Sequence, residues 1–110
     1  MASLTPKLFY IGNAQSGNVY SAPNTAGSYS IIKSINVANT SSSPKIFDIN
    51  LLPLGSSATN ANVIVGNIAM SADNVFVYET SIVMPAGSSI YVSQEGTDLT
   101  FTISGVEYVV

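Results

Sequence analysis

Leu99-Thr100-Phe101-Thr102-Ile103-Ser104 puts three large apolar side chains on one parity and three hydroxyls on the other. Alternation of this kind describes a β-strand with one face in a core and one face turned away from it. The same period runs through most of the chain. Phe47, Ile49 and Leu51 alternate with Asp48 and Asn50, and Ile90 and Val92 flank Tyr91. Phe76, Tyr78, Ile82 and Met84 share a parity, and Tyr29, Ile31, Ile35 and Val37 are set among Ser30, Ser34 and Asn36. Shorter apolar bursts occupy residues 7–11 (KLFYI) and 18–22 (NVYSA), and residues 106–110 stay apolar almost throughout. Residues 62–70 (NVIVGNIAM) contain Gly66 and read as a bulged or doubly buried strand. Residues 59–70 are the one helical candidate, and the β-branched run at Val63, Ile64 and Val65 next to Gly66 argues against it. Turn signals separate the runs: Gly12-Asn13, Pro23, residues 39–44 (NTSSSP), Pro53 with Gly55, Asp73-Asn74, Pro85-Ala86-Gly87 and residues 95–98 (EGTD). The pattern predicts an all-β chain, a single antiparallel β-sandwich or small jelly roll of about seven to eight strands. Phe47, Ile49, Leu51, Ile82, Ile90, Val92, Phe101 and Ile103 are its expected core.

The domain is expected to span residues 1–110, since domains cluster near ~100–150 residues. Within it, residues 1–28 read as a candidate arm or loop that orders on assembly, with 12–28 the least strand-like part. Charge is scarce: 8% of residues are charged, the net charge is −3, and there is no His, Cys, Trp or Arg. A chain of this mass has an accessible surface of roughly 5,800 Å², which three lysines and six acids cannot cover. Ser, Thr and Asn do that work instead. They are cheaper to desolvate against a partner than ions are, and interface cores are depleted in charge for the same reason. The composition favours an oligomer or lattice component.

The same counts exclude function classes. Without His there is no Ser-His-acid triad, and without Cys there is no disulfide or thiolate-bound metal. Lys7, Lys33 and Lys45 make no footprint for a phosphate backbone, so nucleic acid is not an expected partner. No apolar run approaches the ~18 residues of a membrane span. Residues 1–7 lack an apolar segment of signal-peptide type, which leads to the expectation of cytosolic synthesis. Glu95 and Asp98 share a turn, but calcium takes about six to eight oxygens, so that turn reads as a solvated hairpin. Lys33 lies among Ile31 and Ile35 and reads as an edge lysine or one that reaches out of the core. No catalytic residue, metal site or cofactor is expected. The six tyrosines invite a sugar-stacking reading. With Trp absent, interface packing is preferred for Tyr20 and Tyr91.

The order of pieces also resembles a known group. Residues 20–23 (YSAP) precede residues 32–41 (IKSINVANTS); residues 52–55 (LPLG), 85–91 (PAGSSIY) and 100–107 (TFTISGVE) follow. Over residues 18–108 this resembles the small β-sandwich virion accessory proteins of tailed bacteriophages, parts of the head, neck or tail. The resemblance implies a non-enzymatic virion protein, made in the host cytoplasm, that assembles with other virion proteins and with copies of itself as a symmetric homo-oligomer. A host-surface or carbohydrate-binding module of a phage tail is the alternative. The interface is expected at the chain ends, residues 4–20 and 106–110, with Leu4, Leu8, Tyr10, Tyr20, Tyr91, Tyr108 and Val110 as its candidate residues. On this reading residues 1–12 are dispensable for the fold.

Overall fold

The computed structural model describes residues 2–110, and among them there are eight strands and no helix. They are β1 (Ser3–Gly12), β2 (Ser16–Ser21), β3 (Tyr29–Asn39), β4 (Lys45–Leu52), β5 (Val63–Met70), β6 (Asn74–Pro85), β7 (Ser89–Gln94) and β8 (Leu99–Val109). Two antiparallel four-stranded sheets form. Sheet A has the order β1-β8-β3-β6 and sheet B the order β2-β7-β4-β5. The pairs β1–β8, β2–β7, β3–β6 and β4–β5 nest inside one another along the chain. The chain is therefore one long hairpin, doubled at the β4–β5 connection and wound over itself. Winding adds β3 beside β8 and β4 beside β7. This is the jelly roll, one of the two forms the strand pattern allowed.

Both sheets fill the space between them. Phe47 and Ile49 of β4, Ile90 and Val92 of β7, and Ile35, Val37, Leu99, Phe101 and Ile103 of sheet A are sealed from solvent. The Phe47 ring meets Phe101 and Phe76 edge-on, at centroid distances of 5.9 and 5.6 Å, the arrangement aromatic quadrupoles favour. Two expected core residues are only half buried. Leu51 lies beside Ile90, near Pro53 and Val63, and Ile82 lies on β6, an edge strand of sheet A.

Bulges set which residues of β3 and β1 face the core. The β3 register slips between Ile32 and Ser34 against both neighbours. Ile32 therefore faces inward and Ile31 outward, although Ile31 and Ile35 share a parity. Lys33, at the slip, is exposed and its ammonium donates to Ser81 Oγ at 2.5 Å. A matching slip in β1 lies between Leu8 and Tyr10, leaving Phe9 buried. Gly105 of β8 sits between the two slips, where a Cβ would lie 1.9 Å from the Ile31 carbonyl oxygen and 2.9 Å from the Phe9 ring. Gly87 turns the chain between β6 and β7 at φ 78°, a conformation that favours glycine. The bulge expected in 62–70 is present at Asn67 (φ 52°), whose N–H donates to Asp48 Oδ1.

Buried amides close the corners of this low-charge chain. Asn39 donates to the carbonyls of Ser43 and Ser71 and accepts from the N–H of Ser41. Gln94 donates to the carbonyls of Ala14 and Leu99 and accepts from the Leu99 N–H. Among the described residues no buried side-chain nitrogen or oxygen lacks a partner. An unmet one costs ~1–3 kcal/mol.

Residues 3–21 are part of this framework. They supply β1 and β2, one strand to each sheet, and Phe9 stacks on Tyr20 at 4.1 Å. Residues 3–12 form an edge strand of sheet A and carry the core ring Phe9, so their removal is expected to destabilise the fold rather than leave it intact.

Two substitutions test the packing. Phe101→Ala should cost about 3–5 kcal/mol, read as a large fall in thermal midpoint. Gly105→Ala should also destabilise, because its Cβ meets backbone that cannot yield. A midpoint unchanged in either variant would contradict this strand register.

Candidate assembly surface

The outward face of sheet A can be read row by row from the strand pairing. One row is Leu4, Tyr108, Tyr29 and Pro85, and the next is Pro6, Val106, Ile31 and Val83. A third passes from Leu8 through Ser104 and Ser34 to Glu79, and a fourth from Ile11 through Thr102 and Asn36 to Val77. Large apolar side chains thus occupy one end of the face and both of its edge strands. Leu4 is 61% exposed, Leu8 54%, Ile11 62% and Val83 58%. Tyr29 and Tyr108 stack at 4.9 Å in the middle of the first row. The middle holds hydroxyls and amides, and the charges on this face are Lys33 and Glu79. Exposed apolar area gathered on one face is a common feature of contact sites.

Behind the patch, on the inward side of the same strands, Glu107 is held by two neighbouring side chains. Tyr20 donates its phenol proton to Glu107 Oε2 at 2.5 Å and lies 2.7 Å from Ser30 Oγ. The Lys7 ammonium lies 3.2 Å from the same carboxylate. The hydrogen bond from Tyr20 holds Glu107 below the usual carboxylate range; burial opposes this and Lys7 adds to it. Burial, and then the bond to Glu107, push the Tyr20 phenol well above its ordinary value. The cluster ties β1, β2 and β8 together through one carboxylate, and β3 joins through the Tyr20 hydroxyl.

Of the candidate residues, Leu4, Leu8 and Tyr108 come together on the outward face of sheet A. Val110 stands just past the end of β8, its N–H donating to Ser28 Oγ. Tyr20 is turned inward to Glu107. Tyr10 faces the core, and its hydroxyl accepts from the Ala14 N–H. Tyr91 lies on the outward face of sheet B, away from the others. Sequence reasoning missed Tyr29, Ile31, Val83 and Pro85. The signal was present in residues 75–84, where Val75, Val77 and Val83 make the second parity apolar as well. The Glu95–Asp98 turn holds no metal-type cluster. Asp98 pairs with Lys45 at 3.0 Å, and no group of three or more metal-ligating side chains occurs among the described residues.

No protein-family model matches the chain, and no curated protein matches it in sequence. Its fold is similar to solved viral structures. A chain of the T13 viral particle of infectious bursal disease virus, an icosahedral virus, superposes with a TM-score of 0.58 at 10% identity over 97% of this chain. A chain of the Gx strain of the same virus gives 0.50 at 15% identity over 98%. This chain spans 30% and 32% of those chains, about a third of their length. At these identities the likeness is one of fold.

Because the Glu107 value is lowered in the folded protein, its contribution to stability is complete above the ordinary carboxylate value of 4.5 and is lost as pH falls through the folded-state value. Glu107→Gln should therefore show a shallower loss of thermal midpoint below that pH than the parent protein. Parallel acid limbs in the two proteins would remove Glu107 from this role.

Proposed function

We propose that this chain is a non-enzymatic structural subunit of a virus particle, seated through the outward face of sheet A. The observation that carries the reading is that face: exposed leucines, isoleucines and valines on both edge strands, around stacked tyrosines. By strand spacing and rise it covers roughly 600 Å² in plan. A standard interface buries about 800 Å² per partner. A second copy is the fitting occupant. The face is near neutral, with Lys33 and Glu79 its charges, so a copy turned over onto it meets no excess of like charge. Apolar and hydroxyl contacts then drive association, and electrostatic steering plays little part.

The jelly-roll topology and the fold likeness to chains of an icosahedral virus support a place in the virion. The turn and strand order of residues 18–108 supports the finer reading of a tailed bacteriophage, with synthesis in the host cytoplasm and other virion proteins as further partners. Tyr108 and Val110 close the patch at the chain end.

Light scattering and sedimentation on the purified protein test this reading. The expected result is a mass that is a multiple of 11.4 kDa and does not change between low and physiological salt, because there are few charges to screen. Leu8→Glu combined with Val83→Glu should keep the fold, since both positions are exposed, and should return the protein to a monomer. A parent protein that is monomeric at its highest soluble concentration, or an assembly that salt alone dissociates, would overturn the self-association.

A further inference from the structure

The two outward faces of the sandwich are chemically opposite. Across sheet B the outward rows are Ser16, Ser93 and Asp48; then Asn18, Tyr91 and Asn50; then Ser21, Ser89 and Leu52. The connection between β4 and β5, residues 53–62, folds back alongside these rows as a wall. It is pinned from within. Asn50 donates to the Thr59 carbonyl at 3.0 Å and to Asn62 Oδ1 at 2.7 Å. Asn62 in turn donates to the Ser57 carbonyl and accepts from the Thr59 N–H.

Three adjoining depressions follow this wall, with volumes of about 570, 480 and 280 Å³. The first two share Asn18, Leu52 and Ser56, and the last two share Ala58 and Tyr91. They form one shallow trough with Tyr91 near its middle. The Tyr91 hydroxyl has no hydrogen-bond partner among the described residues. Asp48 uses one carboxylate oxygen on the Asn67 N–H, which leaves the other to accept.

We infer that this trough binds a neutral glycan, with the Tyr91 ring as the stacking platform and Asn18, Ser57, Asn60 and Asp48 as partners for sugar hydroxyls. The lining selects the ligand class. Each sugar hydroxyl both donates and accepts, and so does each side-chain amide and hydroxyl of the wall. The C–H face of a pyranose is the apolar complement of an aromatic ring. No cation lines the trough: Lys7 is paired with Glu107, Lys33 bonds Ser81 and Lys45 is paired with Asp98. Phosphorylated, sulfated and sialylated ligands therefore have no counter-charge there. The pinned wall is already ordered, so binding spends little on fixing it. The trough is open, and single-site binding is weak. On the particle of the proposed function, many copies would raise the avidity; the site itself does not depend on that reading.

The test is an amide-resolved NMR titration of the isolated, isotope-labelled chain. The probes are gluco-, galacto- and manno-configured neutral oligosaccharides and their N-acetylated counterparts, with sialylated and sulfated glycans as separate arms. Each is taken to about 10 mM, tenfold above a millimolar Kd. At least one neutral series should shift the amides of Asn18, Ser57 and Tyr91 and leave Ile31 and Val106 in place. Tyr91→Ala should weaken that binding about tenfold or more, the size of a lost aromatic contact, whereas Tyr91→Phe should retain it. Should Tyr91→Ala fail to fold, Ser57→Lys decides, because it obstructs the trough from an exposed loop position and should abolish the shifts. Silence from every neutral series, binding confined to the acidic glycans, or shifts that survive Tyr91→Ala or Ser57→Lys would overturn the inference. Loss of self-association leaves this result untouched, so the two proposals fail separately.

Discussion

Two sheets share one interior, and every strand must commit one face to filling it. Phe47 and Phe101 meet in that space from opposite sheets, with Phe76 beside them. A sandwich is stable only if the side chains of both layers close-pack, and this requirement sets the remaining geometry. The slips at Phe9 and Lys33 lie on either side of Gly105 in sheet A. They keep Phe9, Ile32 and Ile35 on the inward face past a point where simple alternation would turn them out. The missing side chain at Gly105 is what allows β3 to approach so closely there.

A chain with so few charges has to satisfy its buried backbone by other means. Asn39, Asn50 and Gln94 do so with side-chain amides, each a donor and an acceptor in one group. An amide costs less to bury than an ion, so these residues can sit at corners where a salt bridge would be costly. The exception is Glu107. It is tolerated because Tyr20 and Lys7 both bond it, and it joins β8 to β1 and β2.

The two outward faces of the sandwich differ in chemistry. Sheet A offers apolar side chains on a rigid, hydrogen-bonded surface, suited to packing against another protein. Sheet B offers amides and hydroxyls beside a fixed wall, suited to a polar ligand. The division follows from strand parity: in each strand one parity is consumed by the core, and the other is free to specialise.

Periodicity alone determined the fold class and much of the core. Phe47, Ile49, Ile90, Val92, Phe101 and Ile103 were legible because a strand's alternation is local and needs no partner to be read. The absence of His and Cys excluded Ser-His-acid triads and thiolate metal sites in the same direct way. Tertiary structure decided the rest. Ser3 meets Val109 and Tyr29 meets Tyr108 across most of the chain length, so no local pattern could place Leu4, Tyr29 and Tyr108 on one face. A bulge is a property of a strand pair, and Ile31 therefore looked like a core residue until β8 and β6 were set beside β3. Leu51 and Ile82 have inward parity but lie where cover is incomplete, and Tyr20, which reads from the sequence as an interface aromatic, is turned inward to bond Glu107.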